Sequence, residues 1–570
     1  SETIKSDMEK VDKWETANES RLEEMTLTES APKMLSMCSS LSDEPQTYKE
    51  AISGPNSTQW AKAIAEELEA HDSNGTWQVV DRPKKANTLS AKWVFVIKRD
   101  QMGNVERFKA RLVARGFEQR YGIDYVDTFA PVVRAESVRL LLSVCAIKRY
   151  HMRQFDIATA FLNGELKEEV YIDAPQGVTL ETDKCLKLSK ALYGLKQSPK
   201  CWNSKFDQVV KSLGFNSMAN DRCVYANLKL DLIMLVYVDD GLIFGKTEAS
   251  CDWLISELNK HFVTKLVKTN RFLGMEIIKK ENSIWVGQRL YASDLLERHR
   301  MNESTPMSTP IADVKTLLLH DESPKAKGEY RQILGGIQYC ASKTRPDLLF
   351  PVNLLSRFNS DFKEIHLTAA KRLLRYLKGT GNTGIEYRGD NIVIQAFSDA
   401  DWGNDKDNCA SVSGIMITVG GGPVVFASRK QGDIALSSTE AEYIAAGETT
   451  KELAWMCQLL RELGIDFDTP TLFVDNQSAI RHIKNQDTSK FMKHVKIKYH
   501  YVRQAFEEQL FTIKYISTHD QPADILTKCI NGPKLRKILQ QIQVKQEENN
   551  DPTEDSRIPC SQGTSAAVDC

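Results

Sequence analysis

The sequence predicts a multidomain protein of the α/β (α+β) class. Its 570 residues exceed the roughly 250–300 residues over which one hydrophobic core grows, so several domains are expected. The residue pattern changes along the chain, from strand-like segments before about residue 285 to helical spacing as far as 385. From about residue 390 the order is three strands, a helix, a strand, a helix and a strand, which is typical of a separate mixed α/β domain.

The first folded region is predicted to combine a short helix with several strands. Trp60–Ala70 has the spacing of an amphipathic helix, and residues 100–104 form a hairpin turn between two strands. The predicted strands are Trp77–Val80, Lys92–Lys98 and Phe108–Phe117. The hairpin is rich in basic residues, namely Lys92, Lys98, Arg99, Arg107, Lys109, Arg111 and Arg115. For each of them alone, a charged solvent-facing position is the simpler explanation.

The rest of the chain divides at the loop Gly379–Gly384, a candidate domain boundary. Helical spacing before it covers Tyr291–Arg300, Tyr330–Ser342, Leu348–Phe358 and His366–Leu377. The segments after it are strands at 391–398, 413–419 and 423–428, a helix at Ser438–Leu463, a strand at 471–475, a further helix and a strand at Phe511–Ile516.

Two adjacent aspartates, Asp239 and Asp240, interrupt the most apolar stretch of the chain, LDLIMLVYVDDGLIFG. The stretch is too short, and too acidic at its centre, to cross a bilayer. It predicts a hairpin with the aspartates at its tip. Burying two neighbouring carboxylates is costly unless a cation shares the site, so a divalent metal is indicated. A plain Asp-Asp-Gly turn remains the alternative for this motif alone.

Asp156 is a third candidate carboxylate, at a predicted strand-to-helix junction in QFDIATAFLNG. It could also simply begin a helix, where its charge favours the dipole. Together with Asp239 and Asp240 it supplies three carboxylates from two separated elements. Such a set is what two-metal phosphoryl transfer requires, because hard Mg²⁺ prefers oxygen ligands.

A second set of carboxylates lies in the predicted C-terminal domain. Asp399 and Asp475 end strands, Glu440 is at a helix start, and Asp524 follows the last strand. Each has a structural alternative: Glu440 could complete a capping box with Ser437, and Asp475 could cap the following helix.

Composition excludes several classes of protein. Twelve cysteines and ten histidines show no paired metal-ligand spacing, which argues against a zinc site and for a reducing compartment. No signal peptide or run of about 20 apolar residues is present, so the sequence predicts neither secretion nor a membrane location. The chain starts at Ser1 rather than Met, which suggests a fragment or a processed product.

The charge is unevenly distributed. Residues 1–46 hold eleven acidic and five basic side chains and are expected to be an acidic disordered tail. Residues 531–570 are expected to be a helix remnant followed by a second acidic disordered tail, with six acidic and two basic side chains from 545 onward. Since the whole chain carries a net charge of −1, the middle carries about +9, the sign expected of a nucleic-acid binder.

Several motifs in one order resemble those of copia-type LTR-retrotransposon reverse transcriptases, over roughly residues 45–530. The similar blocks are RFKARLVARGF (107–117), GIDY (122–125), TFAPV (128–132), FDIATAFLNG (155–164), ALYGLKQSP (191–199), YVDD (237–240), FLGME (272–276) and TRPD (344–347). This resemblance implies a right-hand polymerase with fingers and palm at 47–285 and a thumb and helical connection at 286–385. It implies a ribonuclease H-like mixed-sheet domain at 390–530.

The resemblance also implies roles for individual residues. Asp156, Asp239 and Asp240 would be the polymerase metal carboxylates. Lys109 and Arg111 would contact the triphosphate of the incoming nucleotide, Phe161 would lie under its sugar, and Gln197 would line its pocket. Leu273 and Gly274 would form the primer grip. Asp399, Glu440, Asp475 and Asp524 would be the ribonuclease H metal ligands, and His519 would help product leave.

The resemblance implies two Mg²⁺ ions per active site, with Mn²⁺ as a substitute. The implied partners are an RNA template, a DNA primer, the RNA–DNA hybrid, dNTPs, and the Gag and integrase parts of the same polyprotein. The implied location is cytoplasmic, in virus-like particles, or nuclear. No protease triplet or zinc knuckle occurs, so the segment corresponds to the reverse transcriptase and ribonuclease H end of Pol.

Two alternatives remain open from the sequence. A host-adopted, inactive relic that binds nucleic acid would tolerate damaged carboxylates, yet all seven predicted metal carboxylates are present. A stand-alone nuclease with an inert polymerase domain is the other alternative.

Overall fold

The computed structural model describes residues 44–84, 86–99, 104–267, 270–314, 317, 323–403, 410–485 and 501–547. The tails predicted for residues 1–46 and after 545 therefore lie almost entirely outside the described residues. No helix in the described ranges is both long enough and apolar enough to span a bilayer.

The N-terminal region packs two helices against a long hairpin. The helices are α1 (Tyr48–Ser53) and α2 (Ser57–Ser73), and the hairpin joins β3 (Ala91–Arg99) to β4 (Val105–Ala114). Trp60 of α2 is buried, and its ring meets Phe95 and Phe108 edge-on at 5.1 and 4.8 Å between centroids. The helix and the hairpin predicted from the sequence are thus confirmed, and aromatic packing holds them together.

A small sheet lies beside this hairpin. Its strand order is β1–β7–β6–β2. The strands are β1 (Trp77–Asp81), β2 (Thr88–Leu89), β6 (Glu165–Ile172) and β7 (Lys184–Lys190).

The central sheet has six antiparallel strands in the order β12–β5–β11–β10–β9–β8. Its strands are β5 (His151–Ile157), β8 (Asn216–Ser217), β9 (Val224–Asn227), β10 (Leu232–Tyr237), β11 (Asp240–Gly245) and β12 (Thr264–Val267). The associated helices are α3 (Ala135–Lys148), α4 (Ser198–Ser212) and α5 (Glu248–Asn259). Strand β10 is almost wholly buried, which explains its continuous apolar sequence.

A third sheet follows, in the order β13–β14–β15–β16–β22. Its strands are β13 (Arg271–Phe272), β14 (Met275–Lys279), β15 (Ser283–Gly287), β16 (Thr383–Arg388) and β22 (Val544–Gln546). Helices α6 (Arg289–Arg298), α7 (Tyr330–Lys343), α8 (Leu349–Ser356) and α9 (Glu364–Gly379) lie between β15 and β16 in the chain. The helix predicted near the C-terminus is α13 (Gly532–Gln541), but β22 after it is an edge strand of this sheet and not part of a tail.

The C-terminal domain has the predicted order of strands and helices, except that two helices instead of one lie between its last two strands in the described residues. Its five-stranded sheet has the order β19–β18–β17–β20–β21. Strand β20 is parallel to both of its neighbours, β17 and β21, and the other pairs are antiparallel. The strands are β17 (Ile394–Asp401), β18 (Val412–Val419), β19 (Gly422–Lys430), β20 (Thr471–Val474) and β21 (Thr512–Tyr515). The helices are α10 (Ser438–Glu462), α11 (Gln477–Lys484) and α12 (Tyr501–Glu507).

One buried arginine joins three of these parts. Arg139 of α3 is fully buried, and its guanidinium donates to the carbonyl oxygens of Val424 (2.7 Å), Ser342 (3.0 Å) and Lys343 (2.9 Å). It also lies 4.3 Å from the centroid of the Phe426 ring. A buried guanidinium is stable only when its N–H groups have hydrogen-bond acceptors. Arg139 therefore holds α3, the end of α7 and strand β19 in one arrangement.

Candidate active sites

The paired aspartates lie where the sequence places them, at the tip of the β10–β11 hairpin. Tyr237 pairs with Asp240, and Val238 and Asp239 form the turn. Val238 has φ +56°, a strained value for a β-branched residue. Two hydrogen bonds hold the turn: Trp202 Nε1 donates to the Val238 carbonyl (2.6 Å), and the Ile157 amide donates to the Asp239 carbonyl (2.8 Å).

Asp156 belongs to the neighbouring strand, directly opposite Asp240 in the β5–β11 register. Directly paired side chains of adjacent strands lie about 5 Å apart at Cβ, so the register brings the third carboxylate to the hairpin tip. Gly241 permits this pairing, because a Cβ there would lie 2.2 Å from the Phe155 ring. The predicted grouping of the three aspartates is present in the structure.

The three aspartates repel one another in a partly desolvated space. Burial and the charge of Asp156 raise the pKa of Asp239. Burial, and then the charges of Asp239 and Asp156, raise the pKa of Asp240 to about 7. In the described part of the chain none of the three carboxylates forms an ion pair within 4 Å. Three neighbouring carboxylates that repel one another and lack a cationic partner among the described residues fit one or more hard divalent cations.

Basic side chains of the β3–β4 hairpin face this centre. Lys109 and Arg111 are two residues apart on β4 and therefore share a face of the strand. Their charges both lower the pKa of Asp239. Burial, then the charges of Arg111 and Lys98, lower the pKa of Lys109 to about 8. The Arg111 Nε atom is buried without a hydrogen-bond partner, so a ligand could complete its interactions.

Phe161 lies beside the same centre, in the 3₁₀ turn Ala160–Asn163 that follows β5. Its half-buried ring meets Tyr193 edge-on, at 4.7 Å between centroids. Tyr193 also lies under the Arg111 guanidinium (5.3 Å). Sequence reasoning did not single out Tyr193, although it belongs to the ALYGLKQSP block.

Gln197, which is predicted to line the nucleotide pocket, is buried in the structure. Its Oε1 accepts from Gln119 Nε2 (2.9 Å), and its Nε2 donates to the Asp124 carbonyl (2.8 Å). Both ends of the amide are therefore bonded within the protein, which corrects the expectation of a direct nucleotide contact. Gln197 instead braces the loop that contains Asp124.

The predicted primer-grip residues form the tight turn between β13 and β14. Leu273 (φ +49°) and Gly274 (φ +76°) both have left-handed backbone conformations. A Cβ on Gly274 would lie 1.9 Å from the Tyr339 hydroxyl, which donates to the Leu273 carbonyl (3.1 Å). Helix α7 thus fixes the turn, and only glycine fits at its second position.

The second carboxylate centre differs from the prediction in one residue. Oxygen atoms of Asp399, Glu442 and Asp475 lie within 4.8 Å of one another. Glu440 is not in this cluster: its carboxylate accepts from the Leu436 amide (2.8 Å) at the start of α10. The Ser437 side chain accepts from the Glu440 amide, which is one half of the expected capping box. The Glu440 carboxylate bonds to Leu436, one residue before the N-cap, so Glu440 stabilises the start of the helix without the reciprocal bond to Ser437.

The pKa values of this cluster are also perturbed. Burial raises the pKa of Glu442 well above its ordinary value, and the charges of Asp399 and Asp475 add to the effect. Burial is likewise the main cause that raises the pKa of Asp399 to about 6. Glu442 is only 7% exposed, and its Oε2 has no hydrogen-bond partner. A divalent cation between these three carboxylates would supply the missing interaction.

Asp524 lies next to this cluster but is held by lysines. Lys528 Nζ lies 2.7 Å from Asp524 Oδ1, and Lys534 Nζ pairs with Asp524 Oδ2. Lys528 also reaches Asp399 Oδ2 (3.3 Å), and the Thr527 hydroxyl donates to the same oxygen. The structure therefore does not present Asp524 as an open metal ligand. Sequence reasoning missed both lysines, since nothing in their spacing marks them.

His519 is exposed in the loop before Asp524, and its amide donates to Ser517 Oγ (3.3 Å). The adjacent Thr518 donates from its hydroxyl to Asp475 Oδ2 (2.8 Å). The loop therefore contacts the carboxylate cluster through Thr518, while the predicted role of His519 stays a prediction.

Comparison with protein families covers the part of the chain that contains the first of these centres. Residues 74–313 match the model of the family described as reverse transcriptase (RNA-dependent DNA polymerase). The match includes all three aspartates of the β5–β11 centre, the basic hairpin and the Leu273–Gly274 turn.

Curated relatives extend the similarity to most of the chain. The Pol polyprotein from transposon TNT 1-94 of Nicotiana tabacum is 38% identical over 85% of this chain and 38% of its own length. That from transposon RE1 of Arabidopsis thaliana is 37% identical over 88% of this chain and 34% of its own length. A putative transposon Ty5-1 protein of Saccharomyces cerevisiae is 34% identical over 52% of this chain and is covered completely. The chain thus spans little more than a third of the two plant polyproteins.

Solved structures with partial similarity include the foamy viral protease–reverse transcriptase. Its complex with an RNA/DNA hybrid is 14% identical, with a TM-score of 0.43, over 80% of this chain and 53% of that chain. A dRH form in complex with double-stranded DNA is 11% identical, with a TM-score of 0.42, over 80% and 69% of the two chains.

Proposed function

Because this chain belongs to the reverse transcriptase (RNA-dependent DNA polymerase) family of copia-type retrotransposon Pol polyproteins, we propose that it copies RNA into DNA. The observation that carries the proposal is the group Asp156, Asp239 and Asp240, delivered by paired strands and without an ion-pairing partner among the described residues. This arrangement leaves negative charge that a divalent metal would neutralise.

Asp156, Asp239 and Asp240 would hold two Mg²⁺ ions, or Mn²⁺ in their place. When bound, such ions would make the primer 3′-hydroxyl more acidic and stabilise the charge on the leaving pyrophosphate. The Trp202 and Ile157 hydrogen bonds fix the strained turn, so Asp239 is positioned before any ligand arrives.

Lys109 and Arg111 are proposed to bind the triphosphate of the incoming dNTP, since they present positive charge toward the same aspartates. Phe161 is proposed to lie under the sugar, where its ring would leave no space or hydrogen-bond partner for a 2′-hydroxyl. The rigid turn at Leu273 and Gly274 is proposed to hold the primer end.

We propose that the C-terminal domain is a ribonuclease H that cuts the RNA strand of the hybrid. Asp399, Glu442 and Asp475 would be its metal ligands, with Glu442 in the role that sequence reasoning gave to Glu440. The predicted domain boundaries are kept as part of this proposal, except that β22 belongs to the third sheet and not to a tail. The proposed partners are an RNA template, a DNA primer, and the Gag and integrase parts of the polyprotein within a virus-like particle.

Primer extension on an RNA template with Mg²⁺ and dNTPs tests the polymerase proposal. The parent chain should extend the primer, whereas Asp156→Asn should reduce extension by about a thousandfold, the equivalent of about 4 kcal/mol of lost charge stabilisation. Asp252→Asn, which removes an exposed carboxylate that pairs with Arg153, is the matched control. Equal extension by the parent and by Asp156→Asn would refute the assignment.

A further inference from the structure

The carboxylate cluster of the C-terminal domain contains its own cation, Lys528. Its ammonium group lies 2.7 Å from Asp524 Oδ1 and 3.3 Å from Asp399 Oδ2, and thus bridges two carboxylates from separate elements. Both carboxylates are buried, with 0% and 1% of the side chain exposed. A position between two buried carboxylates is where a divalent cation would otherwise be expected.

The charges of the centre are consistent with a single ion. Asp399, Glu442, Asp475 and Asp524 carry four negative charges when ionised, and Lys528 and Lys534 carry two positive charges. The remaining two negative charges equal the charge of one divalent cation. Two buried carboxylate oxygens of the centre lack a hydrogen bond within the described part of the chain, Glu442 Oε2 and Asp524 Oδ1. Of these two oxygens, Asp524 Oδ1 has an ammonium group at ion-pair distance, that of Lys528 at 2.7 Å, so the uncompensated oxygen is the one on Glu442.

Salt bridges stabilise Lys528 in this position. Its ammonium group is paired with both Asp399 and Asp524, so it bridges strand β17 and the loop after β21. Lys534 holds the other oxygen of Asp524 and also donates to the Thr518 carbonyl (2.8 Å). Removing one partner from such a buried network leaves an uncompensated charge, which is strongly unfavourable.

We infer that Lys528 occupies the position of a second metal ion between Asp399 and Asp524, so that without nucleic acid this centre binds one divalent cation, at Asp399, Glu442 and Asp475. The inference rests on the proposed function of the domain only in its choice of metal. It concerns binding, and it holds whether or not the domain cleaves RNA.

The experiment is a Mn²⁺ titration followed by electron paramagnetic resonance, without nucleic acid. The background is the full chain with Asp156→Asn, Asp239→Asn and Asp240→Asn, which removes the other carboxylate centre. This background should bind one Mn²⁺. Adding Lys528→Met should raise the number to two. Without the ammonium group, the oxygens of Asp399 and Asp524 that pair with it become available to a second ion.

Two further variants separate charge from position. Lys528→Arg keeps a cation and should still bind one Mn²⁺. Lys537→Met removes a lysine that pairs with exposed Asp520 (2.7 Å) and should also leave one. Binding of two equivalent Mn²⁺ ions by the background chain, which still contains Lys528, would overturn the inference. The inference can therefore be refuted even if Lys528→Met does not fold. A folded Lys528→Met variant that binds one ion would overturn it as well.

The outcome is independent of catalysis. If the stoichiometry changes from one to two while the parent chain fails to cleave an RNA–DNA hybrid, the inference stands and the nuclease proposal fails. If the hybrid is cleaved but the background binds two Mn²⁺ ions, the nuclease proposal stands and the role of Lys528 fails.

Discussion

The two carboxylate centres of this protein handle negative charge in different ways. At the β10–β11 hairpin, Asp156, Asp239 and Asp240 have no ion-pairing partner in the described structure, and the pKa of Asp240 is raised to about 7. In the C-terminal domain, two lysines neutralise Asp524, and one of them reaches Asp399. The first centre therefore depends on external cations more than the second does, and the following experiments test that difference.

The largest effect is expected from a matched pair of glutamates on α10. Glu442→Gln removes a cluster carboxylate, so hybrid cleavage should fall by about a thousandfold while primer extension continues. Glu440→Gln should cleave at nearly the parental rate, because an amide oxygen can still accept from the Leu436 amide. Cleavage rates measured on a labelled hybrid decide between them. The reverse pattern would return the catalytic role to Glu440.

A smaller effect is expected at the β10–β11 centre from Phe161→Val. Loss of the ring should raise incorporation of ribonucleotides relative to deoxynucleotides by about a hundredfold, with hybrid cleavage unchanged. The ratio of kcat/KM for the two substrates is the measurement. Phe262→Leu, which removes a ring from the same apolar cluster, is the packing control. If both variants shift the ratio equally, Phe161 acts only through packing.

The stability conferred by Mg²⁺ should depend on pH. The Asp240 pKa rises from 3.8 to about 7 on folding, so between these values the folded protein binds more protons than the unfolded chain. Without metal, stability therefore falls as the pH rises through this window and levels off above pH 7. Since Mg²⁺ favours the ionised carboxylate, it should raise Tm by a few degrees more at pH 8 than at pH 5.

Thermal unfolding of Asp240→Asn is the control for this pH dependence. Its Tm gain from Mg²⁺ should be smaller and should change less between pH 5 and pH 8. A gain in the parent chain that is equal at both pH values would contradict the electrostatic account of the hairpin tip.

The smallest effect is expected from Trp202→Phe. It removes the hydrogen bond to the Val238 carbonyl, which contributes about 1 kcal/mol, and should slow primer extension several-fold without changing hybrid cleavage. Trp253→Phe, at a partly exposed position, should leave both unchanged. Extension by Trp202→Phe at the parental rate would show that strand pairing alone fixes the turn.

The β10–β11 centre was predictable because its signals are local. Two carboxylates inside an apolar hairpin are unusual in themselves, and the antiparallel register supplies the third. The choice between Glu440 and Glu442 needed more than a motif. Successive helical residues are about 100° apart, so two glutamates separated by one residue point in nearly opposite directions, and the sequence alone does not say which direction is inward.

Other features could not be read from the sequence because their partners are distant along the chain. Arg139 finds its acceptors at Ser342, Lys343 and Val424, and no periodicity indicates such a set. Gln197 belongs to a recognisable block, but the hydrogen bonds that bury its amide come from Gln119 and Asp124. Strand β22 is only three residues long, and its sequence resembles the polar segment around it.

Pairing of β22 with β16 has a consequence for how the protein can be divided. The C-terminal domain leaves the third sheet after Arg388 and returns to it at Val544, so it is an insertion with two attachments to its host. A single protease cut on either side would leave the domain tethered through the other. Release of an isolated C-terminal domain requires two cuts and exposes the edge of β16, so this domain and its host sheet behave as one structural unit.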